Sequence, residues 1–213
     1  MLKENKRTLI ITSIVTILPI LIGVFLWNRL PDVMATHFGI NNEANGFSSK
    51  VFAVFGLPLL LLALEWFGAL VTAHDPKKQN ISPKMFSFVL WIIPAVSLFC
   101  AAMIYPYNLG YPINTTFIGE LLMGLILIVV GNYMPKARQN YTIGIRIPWT
   151  LANEENWNRT HRLAGYLWVI GGILMIIAAL TGIAKAKCIL AIFFILALVP
   201  FVYSYWLHVK RNL

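Results

Sequence analysis

Six apolar runs, each near the 20 residues that a membrane-crossing helix needs, leave this chain few possible folds. They are Thr8–Asn28, Val51–Ala73, Lys84–Tyr107, Thr115–Met134, Leu163–Ala184 and Cys188–His208. At a rise of about 1.5 Å per residue, each run crosses about 30 Å of hydrocarbon. Charged residues make up only 12% of the chain and hydrophobic ones 59%, too little charge to clothe a soluble domain of this size. The expected fold is all-α: a polytopic integral membrane protein of the cell membrane with six transmembrane helices. Pro19, Pro58, Pro94 and Pro200 fall inside these runs, where neighbouring helices and waters can satisfy the freed carbonyls. The opening MLKENKR resembles the start of a signal peptide. The apolar run that follows continues to Trp27 with no small-residue cleavage site, so it reads as a retained helix.

The basic residues give an orientation. With the N-terminus in the cytoplasm, the inner segments hold Lys3, Lys6, Arg7, Lys77, Lys78, Lys84, Lys136, Arg138, Arg146, Arg159, Arg162, Lys210 and Arg211. The outer ones hold only Arg29, Lys50, Lys185 and Lys187. This bias predicts that both termini are cytoplasmic. It also accounts for the net charge of +9 without a direct nucleic-acid partner, because no basic stripe interleaved with aromatics lies along a soluble surface. Cys100 and Cys188 sit in separate apolar runs and read as packing residues. Ala184–Lys187 is expected to be a tight link between helices.

The outer loop spans residues 29–50. Pro31 is expected to end the first helix, and Asn41, Asn42, Asn45 and Gly46 are turn formers. His37 with Asp32 and Glu43 has the donor types of a metal site, but no second histidine stands near, so no metal is expected. A contact surface for an external ligand fits the loop better, since loops on a rigid scaffold carry recognition. Leu30-Pro31-Asp32, His37-Phe38, Gly46-Phe47 and Ser49-Lys50 resemble the short motif of the DUF1648 domain. That motif usually has glycine where this chain has Asn42, and asparagine also enters the left-handed region.

The inner connection is the longest polar stretch. Gly131-Asn132, Pro135-Lys136, Arg138, Asn140-Tyr141, Gly144-Ile145-Arg146, Pro148-Trp149-Thr150, Trp157 and Thr160-His161-Arg162 together resemble the SdpI family. The resemblance covers Leu30 to about Gly172, in the order usual for that family. It divides the chain into a DUF1648-like region, 1–80, with two spans and the loop 29–50, and an SdpI-like region, 81–213, with four spans and the cytoplasmic loop 135–162. Read without the resemblance, Thr150 is a hydroxyl cap for a short helix. Leu151, Trp157, His161 and Ala164 lie near one face at helical spacing. An amphipathic helix in the inner interface, turning into the fifth span, is expected, with Tyr133, Tyr141, Trp149 and Trp157 in the aromatic belt and the cations on anionic headgroups. Gly144 and the cluster Trp157, Thr160, His161, Arg162 are more particular than anchoring requires. Docking of a cytoplasmic partner through Arg146, His161 and Arg162 stands beside anchoring as an open alternative.

No serine or cysteine nucleophile, phosphate loop or zinc-protease motif accompanies the inner connection, so no catalytic residue and no cofactor is expected. A membrane enzyme with His161 as base and the arginines as phosphate clamps is the weaker alternative. Glu65 and Glu120 are the acidic residues set deep in spans, where ionisable groups are functional candidates. They lie about 21 Å and 8 Å from the outer end, too different in depth to form a dyad. Glu65 is the candidate for a polar contact within the bundle, or for the path of a small proton-coupled transporter. The family resemblance implies an immunity protein, giving resistance to a secreted peptide toxin of the SdpC type. It also implies a receptor role, holding a cytoplasmic transcriptional repressor at the membrane. Under it the outer residues Pro31, Asp32, His37, Gly46 and Lys50 face toxin. The inner residues Asn140, Tyr141, Gly144, Arg146, Pro148, Trp149, Trp157, Thr160, His161 and Arg162 serve signalling or bundle integrity. The partners are then membrane lipid, toxin and repressor.

Overall fold

The computed structural model describes residues 1–39, 41–182 and 186–211. Its elements are α1 (Lys6–Phe25), β1 (Val33–Phe38), β2 (Ala44–Ser49), α2 (Leu57–Ala73, entered through a π-turn at Phe52–Gly56), α3 (Pro83–Asn108), α4 (Thr115–Tyr133), α5 (Pro148–Ala152), α6 (Glu154–Thr181) and α7 (Ala186–Arg211). Six helical segments of 20 to 28 residues are long and apolar enough to cross a membrane, one for each expected run. The protein is a multi-pass membrane protein. The link expected at Ala184–Lys187 and the side chain of Cys188 lie outside the described residues.

The chain forms two compact units, Met1–Ala73 with Pro83–Thr116, and His74–Ser82 with Phe117–Leu213. In the first, α1, α2 and α3 pack together. α1 ends at Phe25, well before Pro31. A 3-10 turn at Trp27–Arg29 closes it, with Arg29 N–H donating to Leu26 O at 2.8 Å. Pro31 therefore follows the helix end instead of making it. Leu30, Met34, Ala53, Val54, Ala101, Ile104 and Tyr105 bury one another beneath the strands. Tyr105 reaches across to Pro19 O at 3.0 Å, and Ser97 donates to Thr16 O at 2.6 Å.

In the second unit α4 and α6 meet backbone to backbone. A Cβ on Gly124 would lie 2.8 Å from Gly172 O, and one on Gly165 would lie 2.8 Å from Gly131 O. Both glycine pairs are two helical turns apart, so a single seam of close approach runs along the helices. Leu127, Met175 and Leu196 fill the core beside it. Asn153 caps α6 by accepting the Asn156 N–H at 2.9 Å, with Glu154 and Glu155 in the first turn, where acidic groups favour the helix dipole. With that cap in place and no proline before Thr181, the helix runs unbroken from Glu154. The expected amphipathic helix turning into the fifth span is not one helix: Leu151 lies in the short α5, and Trp157, His161 and Ala164 lie in the first turns of the span itself.

Candidate functional sites

The loop expected between the first two spans is a β-hairpin. β1 and β2 pair antiparallel, with Val33 opposite Ser49, Ala35 opposite Phe47 and His37 opposite Gly46. Gly46 is required by that register, because a Cβ there would lie 2.7 Å from the His37 Cβ. Asn42 turns the chain with φ +61°, in the left-handed region that glycine enters freely and asparagine more readily than most residues. Its side chain does more: Oδ1 accepts from Thr115 N–H and Thr115 Oγ, both at 2.7 Å, which caps α4. At the other end Asn108 acts as a strand surrogate. Its Oδ1 accepts Ala35 N–H at 2.8 Å and its Nδ2 donates to Ala35 O at 2.9 Å. This closes the β1 edge. By antiparallel alternation, the backbone groups of Phe47 point out from the β2 edge.

Each candidate residue has a definite place on the hairpin. Pro31, Asp32 and His37 are exposed. His37 Nδ1 meets Asn45 Oδ1 at 2.5 Å, rather than Asp32 or Glu43. Asp32 pairs with Lys50 at 2.9 Å. The Lys50 side chain is tucked in, with its ammonium 5.1 Å from the Trp27 ring centre and 3.3 Å from Trp27 O. Val33 and Phe47, 64% and 63% exposed, stand on the outer face of the strand pair while Met34 is fully buried on the other.

The polar connection of the second unit is a hydrogen-bonded knot. Asn140 is buried, and its Oδ1 gathers Thr142 N–H at 2.9 Å and Ile143 N–H at 2.6 Å. Gln139 Nε2 ties the segment to Thr150 O at 2.8 Å and Leu151 O at 3.0 Å, and its Oε1 takes the Lys77 ammonium. Asp75, also buried, accepts Tyr141 N–H at 2.8 Å and Thr142 Oγ at 2.9 Å. Thr150 accepts Ile147 N–H at 3.1 Å and donates to Ile145 O or Ile147 O. It therefore braces the start of α5 from inside the helix rather than from the capping position, and Pro148 occupies the first turn, where its missing N–H costs nothing.

Trp157 and His161 form the centre of the knot. Both are fully buried, with rings stacked at 4.0 Å. Trp157 Nε1 donates to Ala137 O at 2.7 Å, so Trp157 is a core residue and not part of an aromatic belt. His161 Nδ1 lies 2.8 Å from Trp157 O, and Nε2 accepts Ile145 N–H at 2.9 Å. One tautomer satisfies both contacts: a neutral ring with its proton on Nδ1. A ring so committed has no free nitrogen to serve as a general base. Gly144 lies against it with φ +113°, and a Cβ there would fall 2.3 Å from Nε2. Trp149 packs its ring on Phe201 and Tyr205 of α7, centroids 5.4 Å apart in each case. Thr160 joins Asn156, whose Nδ2 donates to Ser204 O at 3.0 Å and whose Oδ1 takes the Ser204 hydroxyl at 2.5 Å. Arg146 and Arg162 are exposed, with Arg146 Nη1 donating to Tyr141 O at 2.9 Å. Tyr141 is exposed as well, its ring 5.7 Å from the Lys77 ammonium.

Sequence reasoning missed Asp75, Gln139, Asn156 and Ser204. Gln139 and Asn156 stand inside the recognised loop 135–162, and that position was the available signal for both. Among the described residues no group of three or more His, Cys, Asp or Glu is arranged to hold a metal. Glu65 is buried on α2, with Thr16 Oγ 2.6 Å from its Oε2. It makes the polar contact expected within the bundle. Glu120 lies half-buried on α4.

Fold and sites together define a helical multi-pass membrane protein with a braced hairpin between its first two spans and a buried polar knot before its fifth. Residues 136–204 match the SdpI/YfhL protein family, and residues 14–62 match a domain of unknown function, DUF1648. The chain is also 29% identical over 196 residues to "Immunity protein SdpI" of Bacillus subtilis (strain 168), covering 92% of this chain and 91% of that protein. The resemblance to the SdpI family thus extends over both motifs and nearly the whole length. No solved structure matches.

Proposed function

We propose that this protein is a membrane immunity protein that protects its cell by binding a secreted peptide toxin on the hairpin side. The observation that carries this reading is end-to-end similarity to a protein named for immunity, with the hairpin as the part built for contact. In this reading the hairpin faces outward. Asn108 and Asn42 hold it rigid, which lowers the ordering cost of binding. Val33 and Phe47 offer an apolar face, and Asp32, His37 and the open backbone of Phe47 offer polar groups beside it. An extended peptide finds both kinds of partner there. Gly46 and Lys50 shape this surface from within.

The knot has a second role under the same proposal. Its exposed Arg146 and Arg162, carried on a rigid frame, form a surface for a cytoplasmic protein, such as a repressor held at the membrane after toxin binds. Toxin shifts that surface only if it favours one packing of the spans over another.

The test is survival of a toxin-sensitive bacterium expressing this chain, challenged with an SdpC-type peptide, with membrane level monitored. Protection that Phe47→Ser with Val33→Ser abolishes at unchanged membrane level supports the reading. No protection from the well-inserted wild-type chain removes it. Arg146→Ala with Arg162→Ala is expected to spare protection and abolish toxin-dependent gene induction. If induction persists, the knot is not the docking surface.

A further inference from the structure

Glu65 is 3% exposed, and its Oε1 is buried with no hydrogen-bond partner. It meets α1 at Thr16, ten residues from Lys6 and nine from Phe25, close to the middle of that span: about 15 Å from either end. The other titratable or charged side chains of the three packed helices stand elsewhere. On α1 they are Lys6 and Arg7, in the first turn. On α2 there are none. On α3 they are Lys84, in the first turn, and Cys100, Tyr105 and Tyr107, of which Tyr105 is engaged with Pro19 O. None of the ion pairs among the described residues involves Glu65. A carboxylate here would have no cation beside it, at the depth where that is most costly.

The Thr16 hydroxyl has two oxygens within reach, Glu65 Oε2 at 2.6 Å and Thr12 O at 2.9 Å. It has one proton to give. If it donates to Glu65, Thr12 O is left with its helical N–H alone, and the bare Oε1 remains the unpartnered end of a buried charge. If it donates to Thr12 O, the contact with Glu65 needs a proton on Oε2, and Oε1 becomes a neutral carbonyl, far cheaper to leave bare in an apolar interior. The second arrangement satisfies every close contact.

We propose that Glu65 is a proton-binding site inside the first unit. It stands as a carboxylic acid whose Oε2–H donates to Thr16 Oγ while Thr16 donates to Thr12 O. The bound proton joins α2 to α1 without charge. Deprotonation would put a charge between packed helices, so the site makes the α1–α2 contact responsive to proton loss. This stands independently of the toxin reading.

The test is infrared difference spectroscopy on the full chain in lipid nanodiscs at neutral pH, comparing wild type with Glu65→Gln. The expected result is one carboxylic-acid carbonyl band, present in the wild type and missing from the variant. A carboxylate band missing from the variant instead would overturn the proposal. A carboxylate band that shifts between sodium and potassium buffers would likewise overturn it, in favour of a metal cation. Thr16→Val provides a second reading should the Gln variant fail to fold: the same carbonyl band is expected to move as its hydroxyl partner is lost. A Thr16→Val protein with that band unmoved would show that no proton is shared at this contact.

Discussion

Gly144 and His161 are in mutual contact with no room for a side chain between them: the imidazole Nε2 stands where a Cβ would be, 2.3 Å from its ideal position. The same nitrogen accepts Ile145 N–H at 2.9 Å. The bare glycine and the neutral ring therefore form one feature. A methyl group at residue 144 must displace the ring, break the hydrogen bond and accept a left-handed φ of +113°. Gly144→Ala is expected to destabilise the second unit by about 2 kcal/mol or more. Thermal unfolding in detergent, with Trp157 emission as a probe of the stacked pair, checks this. An unchanged midpoint would mean that the knot tolerates a shifted His161.

Asn42 performs two separable tasks, adopting φ +61° and capping α4 through Thr115. Asn42→Gly keeps the first and loses the second, and is expected to cost about 1 kcal/mol. Asn42→Ala loses both and is expected to cost about 1 kcal/mol more. The midpoints should fall in the order wild type, glycine, alanine. Equal midpoints for wild type and the glycine variant would show that the cap contributes nothing.

The six spans were legible because length and apolarity alone define them. The strands between the first two were not. VMATHF and ANGFSS are short and only partly β-prone, and β1 is closed by Asn108, 73 residues away in sequence. The knot was half legible. Its unusual residues announced a folded motif, and Gly144 could be suspected of a special conformation. Trp157 could not be told from an interfacial tryptophan, because the acceptor that buries it, Ala137 O, comes from a turn with no pattern of its own. Asp75 was invisible for the same reason: its partners Tyr141 and Thr142 are 66 and 67 residues downstream.

Asp75 is the acceptor on the 74–82 segment that holds Tyr141 and Thr142, beside the bonds that Lys77 and Asn80 of the same segment make to Gln139. Its Oδ1 takes Lys77 N–H at 2.7 Å, and Oδ2 takes Tyr141 N–H and Thr142 Oγ. Asp75→Asn keeps the shape but replaces one acceptor with an amide NH2, which must confront a donor on whichever side it lies. A cost of about 1–3 kcal/mol is expected. Faster hydrogen exchange at the amides of residues 139–143, with the hairpin amides unchanged, would identify it. Equal rates would assign the segment's order to Asn140 and Gln139 alone.

Asn156 and Ser204 join α6 to α7 by two hydrogen bonds, one from each side chain. In an apolar surrounding neither has water as a substitute partner, so the two should behave as one element. Ser204→Ala removes one donor and leaves Asn156 Oδ1 with Thr160; about 1 kcal/mol is expected. Asn156→Ala takes the side-chain partner from the Ser204 hydroxyl, Ser204 O and the Thr160 hydroxyl together, and about 2–3 kcal/mol is expected. Once either residue is gone, the hydroxyl–amide bond no longer exists to be lost, so the double variant should cost less than the two single costs combined. A coupling above about 0.5 kcal/mol in a double-mutant cycle follows. Additive costs would mean that the helices hold their places through glycine and apolar packing, with this polar pair only satisfied and not binding them.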